Sequence, residues 1–140
     1  MSKNKKMSPV VHFEMPYKDR DRMVSFYETV FGWEMTKLGP ETMDYVYAKT
    51  AEANIERDKM YENVARGAIG GGFYPFKPDW PSQHPSIVIA VDDIEESMEL
   101  INNNGGEVLG EPMEIPNNGT YVSFYDTEGN RVSIIQPSPM

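Results

Sequence analysis

The sequence predicts an α+β fold made of two tandem βαβββ modules with a cleft between them. Two observations carry this: a motif written twice, and a proline-rich connection at the midpoint. VVHFEM (Val10–Met15) is followed by KDRDRMVSFYETVFG (Lys18–Gly32), and SIVIAV (Ser86–Val91) is followed by DDIEESMELINNNGG (Asp92–Gly106), whose residues stand seventy-four positions after those of Lys18–Gly32. Each copy reads as a short apolar strand, an acidic turn, an amphipathic helix and a glycine stop. At that offset Asp19 falls on Asp93, Gly32 on Gly106 and His12 on Ser86. A duplicated half-sheet tends to leave a hollow between its halves.

The elements follow in order. Val10–Met15 alternates and is rich in strand formers, and Pro16, lacking an amide, is expected to end the strand. Asp19 or Asp21 caps the next helix. Met23, Phe26, Tyr27 and Val30 recur at helical spacing as its apolar stripe over Asp21–Val30, and Gly32 stops it. Strands are expected at Trp33–Leu38, Tyr45–Lys49 and Gly67–Pro75. In the last, absent side chains mark either a bulge or a close approach to the backbone. Residues 50–66, polar and poor in β-branched side chains, read as a surface excursion, a short helix or a flap. FKPDWPSQHP (Phe76–Pro85) carries three prolines and reads as an extended strap. In the second copy Asp93 and Glu96 form a capping box. Ile94, Met98 and Ile101 make the stripe of a helix over Ile94–Asn103. Strands near Glu107–Leu109, Tyr121–Tyr125 and Arg131–Gln136 complete the module, the last two joined by a turn at DTEGN (Asp126–Asn130). The organisation expected is a solvated tail at 1–8 and one domain at 9–137. Within it, module one covers about 9–75, the strap 76–85 and module two 86–137.

Composition narrows the function. The 140 residues suffice for one domain with a core. A net charge of −9 argues against nucleic acid as a partner, yet it suits a cationic ligand. No apolar run approaches the ~20 residues of a membrane span, and no leader is recognisable behind the basic start. Zero cysteines exclude disulfides, thiolate sites and a cysteine nucleophile and agree with a cytoplasmic location. Ten methionines read as core filling. Asp92 and Asp93 read as turn and cap, and Trp33 as core; Trp80 is undecided.

In VHFE (Val11–Glu14), FYETVFGW (Phe26–Trp33), AVDDIEE (Ala90–Glu96) and YDTEGNRVSIIQ (Tyr125–Gln136), the chain resembles the vicinal oxygen chelate superfamily. That superfamily comprises glyoxalases, bleomycin-resistance proteins and extradiol dioxygenases, and the resemblance runs from Val10 to Pro137. It implies a curved mixed sheet around a half-open cavity, a small-molecule ligand, and a homodimer. It also implies a metal held by four strand positions. Carried over, these fall on His12, on Gly70–Gly72, on Ser86 and on Ser133, so one ligand of four survives. A catalytic metal usually takes three protein ligands and an open position, and true glyoxalase I activity is therefore not expected.

Residues two apart on a strand share a face, which aligns His12 with Glu14 and His84 with Ser86. Two readings of His12 follow. One is a neutral imidazole hydrogen-bonded in a polar floor; the other is a divalent-metal ligand with Glu14 and His84 as co-ligands. Glu14, on an otherwise apolar strand, reads as a base with a raised pKa or as half of an ion pair. His12 and Glu14 are thus the candidate catalytic residues. Tyr47, Gly71, Phe73, Ser86, Tyr121, Phe124 and Ser133 are the candidate ligand-binding ones. The functions expected are a glyoxalase-like enzyme, a lyase or oxidoreductase acting on a small oxygenated metabolite, or a non-catalytic sequestration protein of the bleomycin-resistance kind.

Overall fold

The computed structural model describes residues 6–51, 68–116 and 118–138. The chain divides into two units, His12–Pro85 and the remainder, Met1–Val11 with Ser86–Met140. The excursion expected at 50–66 lies almost wholly outside the described residues. The fold class is the α+β arrangement expected, and the two units repeat one topology.

In the N-terminal unit the order is β1 (Val10–Tyr17), α1 (Arg20–Phe31), β2 (Glu34–Lys37), a 3₁₀ turn (Pro40–Thr42), β3 (Val46–Lys49) and β4 (Gly70–Pro75). The strands lie side by side as β2-β3-β4-β1, with β1 parallel to β4 and the other pairs antiparallel. The C-terminal unit follows as β5 (Ser86–Ala90), α2 (Ile94–Asn103), β6 (Glu107–Ile115), β7 (Gly119–Tyr125) and β8 (Arg131–Pro137). Its strands lie as β6-β7-β8-β5, again with the first strand parallel to the last.

Both helices start as their sequences specify. Asp19 accepts from the amide of Arg22 at 3.0 Å and Asp93 from that of Glu96 at 3.1 Å, each occupying an amide the helix leaves unpaired. Gly32 closes α1 at φ 71°, a left-handed conformation that glycine adopts without penalty. In α2 the expected stripe is the packed one: Ile94 is buried, and Met98 and Ile101 lie against the core of Val91, Val122, Phe124 and Ile134.

Three expectations are corrected. Pro16 does not end β1, which runs on to Tyr17. The amide of Phe76 donates to the Tyr17 carbonyl at 2.8 Å, so Tyr17 and alternate residues before it serve β4. The Pro16 nitrogen then points away from that neighbour, where no donor is needed. The stripe of α1 is Met23, Val24 and Tyr27; Phe26 and Val30 are 52% and 53% exposed. The proline-rich segment is a clamped loop and not an extended strap. Buried Gln83 accepts from the amide of Lys77 at 2.8 Å and donates to the carbonyls of Lys77 and Trp80. Among the described residues, no helix is long and apolar enough to cross a membrane.

Candidate functional site

Alternation along β1 sorts its side chains onto two faces. Phe13, Met15 and Tyr17 pack toward Val24, Val46, Ala48 and Phe73 in the core under α1. His12 and Glu14 therefore face the other way, half-buried, where Tyr47 also lies. The rings of His12 and Tyr47 stack at 5.8 Å and 26°.

Between His12 and Glu14 stands a residue that the sequence reading did not single out. The Tyr45 hydroxyl lies 3.0 Å from His12 Nε2 and donates to Glu14 Oε2 at 3.1 Å. Gly72 makes this possible: opposite Glu14 in the ladder, it has no Cβ, and one built there would collide with the Tyr45 ring and hydroxyl. A tyrosine has one proton to give. With that proton on Glu14, His12 must be the donor to Tyr45, so its proton sits on Nε2 and the Nδ1 lone pair is left. Among the described residues none hydrogen-bonds Nδ1.

Burial pushes the His12 pKa down from 6.5 to about 4, since a desolvated ring resists charging. Unfolding returns the ring to its ordinary value. Between pH 6.5 and 4 the unfolded chain therefore takes up a proton that the folded one refuses. Stability should fall across that window by about 3 kcal/mol, with no contribution above about pH 7. An NMR titration should place the His12 midpoint near 4, and His12→Asn should flatten the acid limb of the stability curve. A midpoint near 6.5 would contradict the burial.

The C-terminal unit carries a second polar cluster on the face of its strands away from α2. Ser133 Oγ lies 2.8 Å from the Tyr121 hydroxyl and 2.9 Å from Ser123 Oγ, to which Arg131 Nη2 donates at 3.4 Å. The ladders make this the counterpart of the first cluster. Glu14 opposes Gly72 as Val88 opposes Ser133, and Tyr47 opposes Gly72 as Ser123 opposes Ser133. Tyr45 and Tyr121, each two residues earlier, are thus equivalent. That pairing was the signal available for Tyr45: a tyrosine two before a site-facing position in both copies.

The remaining candidates are placed as follows. Ser86 opens β5, half-buried. Gly71 faces the core side, and its missing Cβ makes room for the Phe13 ring. Phe73 and Phe124, expected to line a cleft, are 1% and 9% exposed and belong to the two cores. His84 is exposed in the clamped loop. Among the described residues no three of His, Asp and Glu are grouped to hold a metal ion. The positions that the resemblance assigns to a metal do not fit one: His12 is engaged through Nε2, Gly70–Gly72 offers no donor side chain, and the Ser133 hydroxyl is bonded to two neighbours.

A family model described as "Glyoxalase/Bleomycin resistance protein/Dioxygenase superfamily" matches residues 10–134. A glyoxylase-like domain-containing protein of Didymella fabae is 28% identical over 86% of this chain and 88% of its own length. A putative glyoxylase of Mycobacterium bovis is 27% identical over 85% of this chain, which spans 40% of that relative. In structure, the chain is similar to a variant of the methylmalonyl-CoA epimerase of Streptomyces coelicolor, solved in complex with 2-nitronate-propionyl-CoA. The TM-score is 0.64 and the identity 17%, over 96% of this chain and 100% of that one; this likeness shows the fold.

Proposed function

The chain belongs to the Glyoxalase/Bleomycin resistance protein/Dioxygenase superfamily, and from that premise we propose that it is an enzyme moving a proton on a small oxygenated metabolite, with His12 and Glu14 as the acid–base pair. The observation that carries this is the Tyr45 hydroxyl held between His12 Nε2 and Glu14 Oε2. It fixes the tautomer that leaves Nδ1 as the nitrogen able to accept a proton. When that proton arrives, the positive ring donates through Tyr45 toward a carboxylate, and the new charge is balanced without Glu14 touching the imidazole.

The lowering of the His12 pKa to about 4 by burial supports a particular substrate class. His12 is unprotonated throughout the neutral range, so the base is always available, but it is a weak one. A weak base is matched to protons already acidified by a neighbouring carbonyl. The epimerase to which this fold is similar was solved with an acyl-CoA analogue, a carbonyl compound of that kind.

Solvent-deuterium exchange tests the reading. The protein is incubated in D₂O with a panel of α-hydroxycarbonyl compounds and acyl thioesters, and label is followed by NMR. Incorporation into at least one compound is expected, reduced about 10²-fold or more in His12→Ala and Glu14→Gln. A melting temperature raised by a cationic compound, with no exchange anywhere in the panel, would instead identify a binding protein. The hemithioacetal of methylglyoxal and glutathione, supplied with nickel or zinc, should not turn over.

A further inference from the structure

We propose that Asp44 is a positioning residue for the His12–Glu14 site: the turn that Tyr17 and Arg20 hold around it sets where the Tyr45 hydroxyl stands. The catalytic consequence rests on the proton-transfer reading; the positioning itself does not.

The first support is that the ladder does not place Tyr45. The β3–β4 pairs run from Val46 to Ala48, and Tyr45 lies just before them. Its counterpart Tyr121 sits inside β7, with β8 paired on both sides of it from Gly119 to Tyr125. For Tyr45 the preceding turn takes over. The Tyr45 amide donates to the Thr42 carbonyl at 3.2 Å, and its carbonyl accepts from the Leu38 amide at 2.8 Å. The ring occupies the space a Gly72 side chain would take. A shift of the Tyr45 backbone therefore moves the hydroxyl off both His12 and Glu14.

The second support is strain. Met43 and Asp44 stand at φ 58° and 56°, two successive non-glycine residues in the left-handed region. Aspartate tolerates that backbone, whereas methionine is strained in it. A turn needed only to reverse the chain would take glycine here. Strain of this kind persists where the surroundings over-determine it, and they do so at Asp44. Its amide donates to the Gly39 carbonyl at 3.0 Å, its carbonyl accepts from the Tyr17 hydroxyl at 2.7 Å, and its Oδ1 lies 3.8 Å from Arg20 Nη1. The same Arg20 Nη1 donates to the Leu38 carbonyl at 3.1 Å, so one guanidinium holds both arms of the turn. Tyr17 ends β1, the strand that carries His12 and Glu14. The bridge and its support are thus anchored on one strand.

The experiment follows the His12 ring nitrogens and the cross-peaks between the Tyr45 ring and Gly72 by NMR, at a temperature where circular dichroism shows each variant folded. Tyr17→Phe deletes only the hydroxyl that holds the Asp44 carbonyl, and Arg20→Met deletes both guanidinium contacts. Asp44→Val puts a β-branched side chain where the left-handed region excludes it. Each is expected to turn the fixed His12 tautomer into a mixture and to weaken the Tyr45–Gly72 cross-peaks. Asp44→Asn, which tolerates the left-handed backbone, should stay closest to the parent, and Arg20→Lys should fall between Arg20→Met and the parent. Val122→Ala, in the C-terminal core, is the control: it should lose stability with no change at His12. If Arg20→Met or Asp44→Val does not fold, Tyr17→Phe decides. In D₂O exchange kcat should fall about tenfold or more with KM little changed, since a misplaced hydroxyl costs orientation and not binding. A parent protein that exchanges no compound would defeat the proton-transfer reading alone and leave the tautomer to decide the positioning. A fixed tautomer with intact cross-peaks in folded Tyr17→Phe and Arg20→Met, or equal disturbance by Val122→Ala, would overturn the proposal.

Discussion

Phe73→Ala should cost about 3–5 kcal/mol, the range for removing a buried aromatic ring, read as a lower urea midpoint at unchanged slope. Among the described residues of the N-terminal unit few buried apolar side chains can absorb the loss: Val24, Val46 and Ala48 are the others in the cluster. The Phe73 ring meets Phe13 edge-on at 6.2 Å and Tyr27 at 5.2 Å, so deletion removes both ring contacts and leaves a void in this cluster. Domains of this size are stable by some 5–15 kcal/mol in total, and the loss is a large share of it. Tyr47, 52% exposed on the other face, gives the contrast: Tyr47→Ala should stay below about 1 kcal/mol. If the two variants cost the same, the assignment of faces to β3 and β4 is wrong.

Phe73 also shows where sequence reading stops. The fold was legible because its signals are local: an aspartate before each helix, a glycine after α1, and alternating strands at one spacing in two copies. His12 and Glu14 were legible too, since alternation alone puts them on one face. Which face of β4 or β7 meets the helix is not local. It depends on register, and one residue of register exchanges the faces. Phe73 and Phe124 were accordingly placed on a cleft wall and lie in the cores. The α1 stripe failed for a similar reason. Phe26 and Val24 fit a helical spacing equally well, and only packing against Phe73 selects Val24. Pro16 was misjudged because a strand needs an amide on one side only at each position. Tyr45 was missed because its role requires Gly72, distant in sequence and adjacent only through the β3–β4 ladder.

The two glycines should therefore separate stability from function. Gly71 and Gly72 are neighbours with opposite faces, and an added methyl group on either meets a ring. On Gly71 it meets Phe13, on the core side and tilted against Trp33 at 5.6 Å. That ring has nowhere to go, so Gly71→Ala should destabilise by about 1–3 kcal/mol, the usual cost of overpacking. On Gly72 it meets Tyr45, whose side chain lies on the half-exposed face and can swing outward. Gly72→Ala should then fold, at a smaller cost, with the His12–Tyr45–Glu14 bridge broken. His12 loses the acceptor that holds its proton on Nε2, and its nitrogen-15 shifts should change from one fixed tautomer to a mixture. Any exchange activity should fall at least as far as in Tyr45→Phe, which removes the same hydroxyl without touching the backbone. A Gly72→Ala protein that keeps both the fixed tautomer and full activity would show that Tyr45 does not stand where the geometry puts it.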